Sequence, residues 1–161
     1  MKRHSFAASL ALAVLAVLGL AAPAAAGEQV PFKGSLEGVD IGTPIDPTHA
    51  SVRVEATGNA TELGQFTFTE LATVNTATGT GTGTFQFIAA NGDTVFGTIS
   101  GQATFTPPNV LTIVETATIT GGTGRFDGAT GSFTVARLKN TVSFVTTASF
   151  TGTISSPGAG N

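Results

Sequence analysis

The sequence predicts a single all-β domain, and three observations predict it. From Val30 onward apolar and polar residues alternate with period two almost continuously. The alternating runs are punctuated by Gly, Pro and Asn-Gly. The composition is rich in Thr, Val and Phe, which suit pleated, half-buried surfaces, while charged residues make up only 11% of the chain.

The chain opens on a different pattern. Lys2, Arg3 and His4 form a positive start, Phe6 to Leu20 is an unbroken apolar and small-residue run, and Pro23-Ala24-Ala25-Ala26-Gly27 offers an Ala-x-Ala cleavage site. That order is the signature of a secretory signal peptide. The apolar run is shorter than the roughly 20 residues a spanning helix needs, and no basic stop-transfer residues follow it. The predicted organisation is a leader over 1–26, one domain over 27–155 and a Gly/Ser/Pro-rich tail over 156–161, with an extracytoplasmic product that has no membrane segment once the leader is gone.

Without the leader, seven basic residues become five against ten acidic ones, a net charge of −5. An acidic chain with scattered basic residues lacks the electrostatic footprint of a nucleic-acid binder. There is no cysteine, so redox and thiolate chemistry are excluded and stability must come from strand packing. Twelve Phe stand without a single Trp or Tyr, so aromatics with a polar handle are missing.

Eight strands are expected, near 30–38, 51–57, 64–76, 81–90, 94–105, 110–120, 131–139 and 142–154. Asn91-Gly92-Asp93 reads as a type I′ hairpin turn, because Asn-Gly supplies the positive φ angles that turn requires. Pro107-Pro108-Asn109 and Lys139-Asn140-Thr141 read as two further connections. Val39 to Thr48, with Pro44, Pro47, Asp40 and Asp46, reads as the longest irregular stretch. Eight strands with short connections form either a barrel or a two-sheet sandwich. In Thr78-Gly79-Thr80-Gly81-Thr82-Gly83-Thr84 the glycines share the face that continues into Phe85, Phe87 and Ala89, so they point inward. They serve either a close backbone approach or room for a partner.

The segment Ile119-Thr120-Gly121-Gly122-Thr123-Gly124-Arg125-Phe126-Asp127-Gly128-Ala129-Thr130-Gly131-Ser132-Phe133 is similar to the allene oxide cyclase and dirigent-like barrel family. Thr112-Ile113-Val114-Glu115 and Asn59-Ala60-Thr61-Glu62-Leu63-Gly64-Gln65-Phe66 resemble small exported bacterial members of it. The resemblance implies an eight-stranded, antiparallel calycin-like barrel with an apolar cavity. It also implies, by analogy, a trimer and cyclase-like or dirigent-like assistance to a small molecule. On its own terms, the segment's five glycines call for positive φ or close packing. Phe126 is placed to plug a barrel end while Arg125 and Asp127 pair in solvent. The segment fits neither a dinucleotide loop nor the glycine-rich calcium repeat.

Alternation assigns three charges to apolar faces. Glu70 shares a face with Phe66, Phe68, Ala72 and Val74. Glu115 shares one with Leu111, Ile113, Ala117 and Ile119. Arg137 shares one with Phe133 and Val135. By contrast Arg53 and Glu55 lie opposite Val52, Val54 and Ala56. An inward charge is costly unless paired. Three readings follow: a structural Glu115–Arg137 pair, a slip at a β-bulge that turns one charge outward, or a polar cluster that orients a ligand or works as acid and base. On the third reading Glu70, Glu115 and Arg137 are the candidate catalytic residues and the partner is a small hydrophobic or amphipathic molecule. No cofactor or metal is expected. His49 is the only histidine after the leader, which excludes a zinc site with several His ligands.

Overall fold

The structure is a computed structural model that describes residues 27–155 together with 157 and 158. The predicted leader lies outside the described residues. Of the predicted tail only 157 and 158 are described, and the Gly158 N–H donates to the Arg125 carbonyl at 2.8 Å.

Eight strands close into an antiparallel barrel in sequence order: β1 (Gln29–Asp46), β2 (His49–Ala60), β3 (Gly64–Asn75), β4 (Thr80–Ala89), β5 (Thr94–Thr106), β6 (Val110–Gly122), β7 (Gly131–Asn140) and β8 (Val145–Ser155). β1 pairs with β8 from Gln29↔Ser155 to Val39↔Val145, which completes the closure. The architecture is therefore the barrel and not the sandwich, and closure pairs the first strand with the last. Among the described residues no helix is long and apolar enough to cross a membrane.

Two local expectations are corrected. The stretch from Val39 is not irregular: β1 runs on to Asp46, with Val39 to Pro44 paired to Glu55 to Ala50 of β2. Pairing to β8 ends at Val39, so beyond that point β1 has one neighbour only and tolerates a proline. The turn at Asn91-Gly92 is not type I′, which needs positive φ at two successive residues, because only Gly92 has it (88°). Gly92 N–H donates to the Ala89 carbonyl and Ala89 N–H to the Asp93 carbonyl. This closes a three-residue loop with a left-handed glycine.

Seven phenylalanines fill the interior of one half of the barrel: Phe32, Phe66, Phe68, Phe85, Phe87, Phe133 and Phe150. Phe87 is the hub, with six ring centroids between 4.9 and 5.9 Å of its own. That end is sealed by Leu63, Phe126 and Ala129 from the connections between strands. Phe126 is thus the plug that the sequence suggested. Its neighbour Arg125 does not pair with Asp127, however. Arg125 lies 3.7 Å from Asp93 and its guanidinium stacks 4.8 Å over the Phe126 ring.

The inward glycines of β4 answer the choice left open by the sequence. A Cβ on Gly83 would collide with the Leu71 carbonyl and the Ala72 backbone, so Gly83 serves a close approach of β3 to β4. A Cβ on Gly81 would press only on the Val74 side chain, at 3.0 Å, with the Thr73 carbonyl at an ordinary 3.5 Å, and Gly81 borders the open pocket.

Candidate functional site

Above the phenylalanine layer the interior changes character. The inward positions become small or branched (Val52, Ala72, Val74, Gly81, Gly101, Ala103, Ile113), and five ionisable side chains point in with them. Glu70 comes from β3, Glu115 from β6 and Arg137 from β7, as alternation predicted. The strand registers contain shifts only at Pro44/Asp46 and at Phe96/Gly97. Neither falls between these charges and the apolar residues of their face, so no bulge turns one outward.

Register brings the three together. Glu115 is paired with Val135 and Ile113 with Arg137, so Glu115 and Arg137 are diagonal neighbours on the inner face. Arg137 Nη2 donates to Glu115 Oε2 at 2.5 Å and Nε to the same oxygen at 3.1 Å. Nη2 also donates to Glu70 Oε2, reached across the barrel from β3. Gly101, opposite Glu115 on β5, makes room for this: a Cβ there would lie 2.5 Å from Glu115 Cγ.

The sequence reading missed two members. Asp40 of β1 and Lys139 of β7 are both buried and paired at 2.5 Å, and Asp40 Oδ2 lies 3.8 Å from Arg137 Nη1. In the sequence Lys139 falls where the 131–139 strand meets the Lys139-Asn140-Thr141 connection. The β7–β8 connection instead begins after Asn140, whose side-chain carbonyl accepts the N–H groups of Val142 and Ser143, each at 2.9 Å. Extending the Phe133, Val135, Arg137 parity by two residues would have found it.

Three carboxylates therefore face two cations, an imbalance of one negative charge when all are ionised. Burial pushes the Glu115 carboxyl up, the Arg137 charge pulls it back, and Glu70 beside it pushes it up again, to about 7. Burial and the neighbouring Glu70 thus both favour the protonated form of Glu115, and Arg137 opposes them. Burial alone would lower the Arg137 guanidinium, but Glu70 and Glu115 outweigh it and the net shift is upward.

The cluster forms the floor of a pocket of about 90 Å³ that opens toward the unsealed barrel end. Its walls are largely apolar, so the arrangement is a cup with three carboxyl groups and two cations at its base. Among the described residues no group of three or more His, Asp or Glu side chains is placed to hold a metal ion.

No protein-family profile matches the chain. No curated protein matches it either. Among solved structures it is similar to the pterocarpan synthase dirigent protein GePTS1, with a TM-score of 0.57 and 13% identity over 80% of this chain and 84% of that one. The likeness extends over most of both chains at an identity too low to carry residue roles across, and the protein has the dirigent-like eight-stranded barrel fold.

Proposed function

We propose that the protein is an exported barrel that binds a small apolar or amphipathic molecule in this pocket, where Glu115 gives or takes a proton in an isomerase-like or cyclase-like step. One observation carries the reading: a carboxyl with a pKa of about 7 lines an apolar-walled pocket at the barrel centre. General acid–base catalysis works best with a group poised near the working pH. An isomerisation moves a proton from one atom of the ligand to another, so it draws on no oxidant. The dirigent protein that shares the fold is itself described as a synthase.

The second reading is a non-catalytic extracellular protein whose barrel is filled by itself. It is favoured by the seven packed phenylalanines and by the modest pocket, smaller than the several hundred Å³ common for ligand sites.

Native mass spectrometry of protein recovered from its own culture medium separates the two. The expected result is a bound small molecule on a chain that begins at Gly27. A Glu115→Gln variant, which keeps the shape, should retain that adduct but convert it about 100-fold more slowly or worse. A wild-type barrel that emerges empty, with Ala103→Leu as stable and as well exported, would sink the ligand reading.

A further inference from the structure

The cluster spends its hydrogen-bonding capacity unevenly. Arg137 commits Nε and Nη2 to the two glutamates, yet among the described residues Nη1 makes no hydrogen bond, and Asp40 Oδ2 stands 3.8 Å from it. A guanidinium carries two N–H groups on that nitrogen. The Arg137 side chain is only 2% exposed, and among the described residues no fully enclosed side-chain nitrogen or oxygen lacks a partner. Nη1 therefore reaches the pocket that Arg137 lines. Lys139 Nζ makes one hydrogen bond, to Asp40 Oδ1, which leaves two of its N–H groups unassigned. Both nitrogens gather around the same Asp40 carboxylate, so their spare donors converge on the base of one cup.

Charge decides which acceptor suits these donors. A carboxylate or phosphate would add a negative charge beside Asp40, Glu70 and Glu115, with no unpaired cation to meet it. The other strands that line the cup offer no ionisable group: β2, β4 and β5 face it with Val52, Gly81 and Gly101, among others. A neutral oxygen leaves the balance undisturbed. The cup is also too small for a large molecule. Leu111 at its lip is paired with Phe105, which is 54% exposed and continues the inward face of β5. The open-end connections 46–49, 75–80, 106–110 and 140–145 contain no Lys or Arg.

Resting on the ligand reading above, we infer that the ligand carries a neutral hydrogen-bond-accepting oxygen, a ketone, ester or ether, which seats on Arg137 Nη1 and Lys139 Nζ while its apolar body extends past Leu111 over Phe105. Arg137 and Lys139 are then the ligand-orienting residues, and the oxygen they hold lies within the cup that Glu115 lines.

Three eight-carbon probes test this: 2-octanone, octanoate and octylamine, titrated into the purified protein at pH 6 and followed by the amide and methyl NMR signals of Gly101, Ala103 and Ile113. The expected result is saturable shifts with 2-octanone and binding at least about 10-fold weaker for the other two, the size of one hydrogen bond to a charged group. Ala103→Leu, which fills the cup without touching a charge, should abolish the shifts. Lys139→Met should weaken ketone binding, and Lys139→Gln, which keeps a donor toward Asp40, should restore part of it. Tighter binding of octylamine or octanoate would overturn the acceptor assignment while leaving the pocket a ligand site. Absence of saturable shifts with all three, in wild type and Ala103→Leu alike, would overturn both.

Discussion

Arg137→Met is expected to destabilise the barrel by about 3–5 kcal/mol at pH 8, the cost of leaving buried charge without its partner. Among the described residues Arg137 is the only cation hydrogen-bonded to Glu70 and Glu115, whereas Asp40 keeps Lys139. Removing it leaves two carboxylates face to face in an apolar cup. Without Arg137 the pull that holds the Glu115 carboxyl down is gone, so protonating it relieves the repulsion and the same variant should be less damaged at pH 5. Replacing the trio together (Glu70→Leu, Glu115→Leu, Arg137→Met) should recover much of the loss, because an ion pair gains little over well-packed apolar groups once its desolvation is counted. Arg53→Ala is the control: Arg53 and Glu55 are each 55% exposed, and losing that pair should cost under about 0.5 kcal/mol. Urea titrations of the four proteins measure all of this. An Arg137→Met cost below about 1 kcal/mol would mean that water reaches the cluster freely.

How far the sequence revealed this site depends on where each residue sits in its strand. Glu70, Glu115 and Arg137 lie mid-strand among large apolar neighbours, where alternation is unambiguous. Asp40 is flanked on its face by Gly38 and Gly42, which carry no hydropathy signal, and by two downstream prolines that suggest a loop. Lys139 stands one residue from the end of β7, beside an Asn-Thr pair that reads as a turn. Strand ends are fixed by cross-strand pairing, Lys139↔Thr146 in this case, and pairing is not local in sequence. The same limit explains the hairpin at Asn91. Its dipeptide favours type I′, but the hydrogen bonds between Ala89, Gly92 and Asp93 set a longer loop. The phenylalanine packing was legible as an inward face and no further. Which rings meet Phe87 depends on closure of the barrel.

The titration of Glu115 should appear as a fall in stability with rising pH. Its carboxyl has an ordinary value of 4.5 and is raised to about 7 in the folded barrel. Below pH 4.5 both folded and unfolded chains carry the proton, and the residue contributes no difference. Between 4.5 and 7 the folded state still holds the proton that the unfolded state has released, so unfolding stability decreases as pH increases. Above 7 both states are ionised and the loss levels off, at roughly 3 kcal/mol. The upward shift of Arg137 plays no part, since that group stays charged throughout. Asp46, held low by the Thr48 backbone N–H and the neighbouring His49, titrates below the window and acts with the opposite sign. Glu115→Gln isolates the effect, because an amide mimics the protonated carboxyl and can donate to Glu70 as the acid does. The variant should therefore match wild type near pH 5 and exceed it by about 3 kcal/mol at pH 8, with the slope between 5 and 7 flattened. Parallel pH profiles for the two proteins would show that the interior proton is not at Glu115, and the acid–base reading of the pocket would fall with it.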